Sequence, residues 1–277
     1  QIYMRLGYEF DNPFFMYDNE EYIASFRKIV SMFQHRGVSN VDFVWHSGAF
    51  LPASTTGANM TFHDYWPGKD VVDWCGISLF EQPFTCQDPF TCRIPVADDF
   101  AEYCLSQLKP VMIAESAPVG GLIDEKDSDH GPNERGFKGS SWAKWFDPVI
   151  NYIIRHDIPI WSYINADWDR LPLYKNQKWG DSRLQQYPGL AQRWHKEILM
   201  NKRYKWYTGQ NVFNDICYPQ DASSVTTNSN VTTFSGFSHS HDHEKDVTSG
   251  GTGAGDNSDQ WFSKGKKMRV LQTTMLC

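Results

Sequence analysis

Two glutamates stand where apolar strands run out, and a pair of carboxyls so placed can do chemistry on a shared substrate. Glu9 closes the strand-like run "IYMRLGYEF" (Ile2–Phe10), and Glu115 closes "PVMIAES" (Pro110–Ser116). A carboxylate at the end of an apolar strand is a poor packing choice, because an unpaired buried charge is expensive. Side chains alternate along a strand, which predicts one face for Arg5, Gly7 and Glu9, and one face for Val111, Ile113 and Glu115. A single strand-end glutamate reads as a structural ion pair as readily as a functional group. Two on nearby parallel strands, with an inward Arg5 beneath one, read as a reactive acid–base or nucleophile pair. His46 ends "VDFVWHS" and could hydrogen-bond a substrate or a glutamate, although a core histidine would fit there too.

The elements that must position these groups alternate between strand and helix. After the first strand, Tyr22, Ile23, Phe26, Ile29, Val30 and Phe33 recur at helical spacing up to Gly37. Further strands are predicted at Val41–Ser47, Val71–Phe80, Pro110–Ser116 and Ile158–Asn165, with helices in "VADDFAEYCLSQLK", "SWAKWFDPVINYIIRHD" and "PGLAQRWHKEILMNK". Apolar strands alternating with helices imply parallel β–α units. Neither G-x-G-x-x-G nor G-x-x-x-x-G-K-[ST] occurs, which argues against a nucleotide-binding open sheet. The remaining choice is an α/β fold of the (β/α)8 TIM-barrel type, in which reactive groups collect at the C-terminal ends of strands. Five strands are visible against the eight of a closed barrel. The expectation is an incomplete barrel, with the others lying before Gln1. Residues 1–206 make the barrel part, and 207–277 form a low-complexity Ser/Thr/Gly/His tail expected to be disordered.

Composition narrows the partners. A net charge of −7 argues against nucleic acid, and no apolar run approaches the length of a membrane span. The 11 Trp and 13 Tyr would furnish either packing or sugar-stacking surfaces. None of the six cysteines has C-x-x-C spacing, so no metal site is expected from them. Cys86 and Cys92 bracket a loop that a local disulfide could close. With the tripeptides at Asn59 and Asn230, which match glycosylation acceptors, this points to a secreted protein. Such tripeptides also arise by chance. His239, His241 and His243 alternate in the tail, where a solvated polar run is the simpler reading than a metal site.

The motifs resemble those of the retaining glycoside hydrolases of clan A, and within it family 26, which contains β-mannanases and related endo-enzymes. Arg5 and Glu9 match an R-x-x-H-E-like motif on barrel strand 4. "YWPGKDVVDWCGIS" matches the approach to strand 6, and "KPVMIAES" matches a K-P-x-x-x-x-E-like run ending strand 7. The resemblance spans Ile2 to Asn201 and numbers the visible strands 4 to 8, with strands 1 to 3 missing. It implies that Glu9 is the acid/base and Glu115 the nucleophile, with carboxyls about 5–5.5 Å apart. Arg5 would keep Glu115 ionised. Tyr8 stands where the family has His, and Phe80 where it has a Tyr near the nucleophile. Tyr163 and Trp168 stand near an expected sugar-stacking Trp, and Trp66 is a further candidate platform.

The implied activity is endo-hydrolysis of a β-linked polysaccharide without metal or organic cofactor. β-Mannan leads, with β-1,3-xylan and β-glucan next, and the complete protein is expected to be a monomer. A non-catalytic carbohydrate-binding relative on the same barrel is the alternative. A structural protein reusing the scaffold is the third reading.

Overall fold

The computed structural model describes residues 2–52, 60–80, 94–124, 139–175, 177–201, 204–207 and 268–273. The loop between Cys86 and Cys92, Asn59, Asn230 and the tail histidines lie outside these residues. The chain runs β1 (Ile2–Arg5), α1 (Asn19–His35), β2 (Val41–Ser47), β3 (Trp74–Leu79), α2 (Pro95–Ser106), β4 (Val111–Ser116), α3 (Asp147–Arg155), β5 (Ile160–Ile164), α4 (Pro188–Trp194), β6 (Tyr204–Tyr207) and β7 (Met268–Thr273). These strands form one curled sheet in the order β1-β2-β3-β4-β5-β7-β6, every pairing parallel. The first five strands are neighbours in chain order, as successive units of a barrel wall must be.

The predicted helices and the strands after the first form near where their periodicities put them, while the first strand stops at Arg5 and does not run on to Phe10. Helix α1 opens on Asp18, whose side chain accepts from the Glu21 N–H, and it buries Tyr22, Phe26 and Val30 one turn apart. Two short strands exceed the five read from the sequence. β7 pairs with β5 and β6 with β7, so 268–273 continues the sheet from within the compositionally distinct C-terminal segment.

The two faces of the sheet differ sharply. Phe43, Trp45, Cys75, Ile77, Val111, Ile113, Trp161 and Tyr163 face the helices and join α1 to α4 in one large core. Val44, Met112 and Ile160 lie on the opposite, inner face with Tyr3, Trp74 and Ala114. A disulfide between Cys75 on β3 and Cys104 on α2 crosses the helix layer. Both cysteines are fully buried. Asp98 of α2, also buried, accepts from Arg155 Nε at 3.0 Å, His156 Nε2 at 2.5 Å and the Ile94 N–H at 2.7 Å. Burial pushes its carboxyl up, but these hydrogen bonds and the Arg155 charge outweigh it and hold the group below its ordinary range.

Two expected faces are corrected. β1 ends at Arg5, so Glu9 does not share a strand face with it. Val111 and Ile113 belong to the helix-facing core, whereas Glu115 does not accompany them. The register between β3 and β4 slips at Ile77/Ser78: Ile77 faces Ile113, but Ser78 faces Glu115, skipping Ala114. That bulge reverses the alternation and turns Glu115 towards the inner face.

Candidate active site

Glu9 owes its position to a turn, not to a strand. After Arg5 the chain bends at Gly7, where φ is +53° and a Cβ would sit 2.8 Å from the Tyr22 ring. Only glycine takes that conformation there without displacing a neighbour. Glu9 itself has φ 51°, a left-handed geometry that costs a non-glycine residue about 1–3 kcal/mol. The following residues impose it. Phe10 is buried and stacks on Trp45 with ring centroids 4.7 Å apart, and its N–H donates to the His46 carbonyl at 3.1 Å. Asp11 is buried too, accepting from Ser47 Oγ and from the N–H groups of Gly48, Phe50 and Leu51. With both following residues anchored, the Glu9 carboxyl meets Asn12 Nδ2 at 2.9 Å and the Ser78 hydroxyl.

Arg5 links this group to the second carboxyl. Its Nη1 donates to Glu115 Oε1 and lies 3.5 Å from His46 Nδ1. His46 is fully buried, and its Nε2 lies 2.9 Å from Ser78 Oγ. Arg5, Glu9, His46, Ser78 and Glu115 thus converge at the C-terminal ends of β1 to β4, where catalytic groups gather in barrels.

The electrostatics separate the two carboxyls. Burial chiefly raises the Glu9 pKa, opposed by hydrogen bonds from Ser78 and Asn12 and aided by the charge of Glu115. Glu115 is ion-paired with Arg5 and keeps 18% of its side chain exposed. The arrangement therefore pushes Glu9 towards its protonated form and sets a fixed cation against Glu115, a division that suits an acid and a nucleophile. Burial and then Arg5 lower His46 well below the usual histidine range, so its imidazole is neutral.

The expected site residues divide into three groups. Arg5, Tyr8, Glu9, His46 and Glu115 come together. Tyr8 is 41% exposed beside them, its ring 5.6 Å from the Arg5 guanidinium and 6.3 Å from His46. His46 meets Arg5 and Ser78 in place of a glutamate. Phe80 and Trp168 form an aromatic cluster with Tyr174 and Trp179 at the rim. Trp168 is buried in it and donates from Nε1 to Ser182 Oγ at 3.0 Å, so its faces are taken by packing.

Trp66 and Tyr163 are corrected outright. Trp66 packs on Trp45 and Tyr103 in the helix layer. Tyr163 is fully buried among Trp145, Phe146 and Trp194, and its hydroxyl donates to the Ser182 carbonyl. Tyr163 points away from the inner face because it shares the parity of Trp161 on β5, whereas Trp66 lies outside the sheet, directly after the short helical turn Phe62–Tyr65.

Three residues went unnoticed in the sequence. Ser78 could have been found by parity, since Trp74, Gly76 and Ser78 alternate along β3. Asn12 and Tyr174 carried no local signal. Tyr174 is half-buried, and burial first, then Glu115, Tyr8 and Glu9, raise its phenol, which puts it within electrostatic reach of both carboxylates. A phenol thus stands near the pair although Phe80 supplies none.

The chain is similar to β-1,3-xylanases. It is 30% identical over 209 residues to a β-1,3-xylanase of a Vibrio species, a match covering 71% of this chain and 43% of that protein. A β-1,3-xylanase of an Alcaligenes species is 28% identical over 215 residues, covering 73% of this chain and 43% of that protein. The chain thus spans less than half the length of these curated relatives. A solved family 26 β-mannanase from Bacteroides ovatus aligns with 50% of this chain and 40% of its own, at 15% identity and a TM-score of 0.34. No family model matches the chain.

Proposed function

We propose that this chain carries the two catalytic carboxyls of a retaining endo-glycosidase acting on a β-linked polysaccharide, with β-1,3-xylan as the substrate. The observation that carries the reading is Arg5, which ion-pairs with Glu115 while Glu9, buried nearby, is pushed towards its protonated form. The two β-1,3-xylanases at 30% and 28% identity favour xylan over the mannan expected from the motifs.

In this reading the ionised Glu115 attacks the anomeric carbon while Glu9 gives its proton to the departing glycosidic oxygen. The glycosyl–Glu115 ester forms as the C–O bond to the leaving sugar breaks. Glu9, now ionised, then takes a proton from water as that water attacks the same carbon and releases Glu115. Arg5 steadies the Glu115 charge, and exposed Tyr8 offers a ring to the sugar. The Cys75–Cys104 disulfide supports secretion into an oxidising compartment. Among the described residues no helix is long and apolar enough to cross a membrane.

The test is product analysis on β-1,3-xylan, β-1,4-mannan and β-1,3-glucan with the full chain and its Glu9→Gln and Glu115→Gln variants. Endo-products from xylan with retained anomeric configuration are expected. Glu9→Gln should lose about 10²–10⁴-fold in rate, and Glu115→Gln should be inactive. Sugar binding without turnover in the unsubstituted chain would replace this reading with the carbohydrate-binding one. Turnover that survives both substitutions would refute the assignment.

A further inference from the structure

The inner face holds a buried path that the proposed chemistry does not itself require. Arg5 Nη1 donates to Glu115 and also approaches His46 Nδ1 at 3.5 Å. A guanidinium has no acceptor, so Nδ1 must present its lone pair to it. The neutral ring therefore carries its hydrogen on Nε2, which points at Ser78 Oγ 2.9 Å away. The Ser78 hydroxyl, accepting from His46, gives its own hydrogen to the Glu9 carboxyl, to which it is bonded. His46 and Ser78 are both fully buried, so bulk water does not compete for either bond.

We propose that Ser78 is a positioning residue for Glu9, with its hydroxyl oriented through His46 by the same Arg5 that pairs with Glu115. The inference rests on the acid/base reading of Glu9 for its functional meaning, although the hydrogen-bond path stands without it. One cation then sets the hydrogen-bonding of both carboxyls: one directly, the other by fixing a tautomer. The bulge at Ile77/Ser78 serves the same arrangement, because it brings Ser78 level with Glu115. Other charged and titratable groups around Glu9 are Tyr8 in its own turn, Asp11 two residues on, and Tyr174 from the loop after β5.

A hydroxyl that donates to Glu9 favours its ionised form. Removing it should raise the Glu9 titration midpoint. The experiment is carboxyl-carbon NMR titration of the glutamates in the full chain, with Glu9 assigned from Glu9→Gln, comparing Ser78→Ala and Ser78→Thr. An upward move of Glu9 in Ser78→Ala, restored in Ser78→Thr, is expected, together with an alkaline limb of xylan hydrolysis that moves the same way. An unmoved Glu9 in folded Ser78→Ala overturns the proposal even if Glu9→Gln abolishes hydrolysis. A moved Glu9 with hydrolysis indifferent to Glu9→Gln upholds the path and sinks the catalytic reading. Should Ser78→Ala fail to fold, ring-nitrogen NMR of the unsubstituted protein decides. A neutral His46 protonated on Nε2 is expected, and an Nδ1-protonated ring overturns the proposal.

Discussion

Breaking the Cys75–Cys104 bond gives a perturbation whose size follows from the chain itself. The sulfurs join β3 to α2 across a sequence separation of 29 residues. Closing a loop of that length removes conformational freedom from the unfolded chain, worth about 3.6 kcal/mol at room temperature in the chain-entropy treatment. Both cysteines are fully buried, so reduction leaves two thiols in the same space and opens no cavity. The assay is urea unfolding of the chain and of a Cys75→Ala/Cys104→Ala variant, each with and without reductant. At a slope of about 2 kcal/mol per molar urea, the oxidised chain should unfold roughly 1.5–2 M later than the variant. Reductant should remove most of that gap, because the crosslink is gone while the packing of the sulfurs remains. A gap of equal size under both conditions would refute the reasoning and assign the stability to side-chain volume instead.

Other expectations follow from the same coordinates. Asp98 is held below its unfolded pKa, so its contribution is present above the ordinary aspartate range and is lost as pH falls through the depressed folded value. Asp98→Asn should lower stability by about 3 kcal/mol, near the low end for a broken buried pair because Arg155 keeps some solvent. Unfolding curves measured near neutrality and in acid should therefore converge for the two proteins. Glu9 must be protonated to act as an acid, so xylan hydrolysis should fall as pH rises through its raised pKa, and a rate profile checks the sign. Tyr163→Phe removes the hydrogen bond to the Ser182 carbonyl inside the core. It should cost about 1–2 kcal/mol in thermal unfolding and leave KM for xylan unchanged, whereas Tyr8→Ala should raise KM with little loss of stability.

The lines legible in the sequence were those governed by local periodicity. Val41–Ser47 is a strand over the same residues that its apolar pattern predicts. The helical spacing of Tyr22, Phe26 and Val30 was likewise enough to set which side of α1 is buried. The unusual placement of Glu9 and Glu115 near apolar strand ends was equally visible, because a carboxylate there conflicts with packing.

The reasons these residues meet were not local. Strict alternation would have sent Glu115 into the helix-facing core with Val111 and Ile113, and only the slip between β3 and β4 turns it inward. Such a slip is settled by pairing between two chain segments, which neither segment records alone. Glu9 reaches the site through a left-handed turn fixed by Phe10 under Trp45 and by Asp11 under the β2 loop. Tyr163 and Trp66 were plausible sugar platforms as residue types, but an aromatic ring shows its use only when its neighbours are known. Composition and periodicity thus determined most of the helices and the core strands and marked two candidate carboxyls. The tertiary structure decided which faces those groups share, because that depends on contacts between residues far apart in the chain.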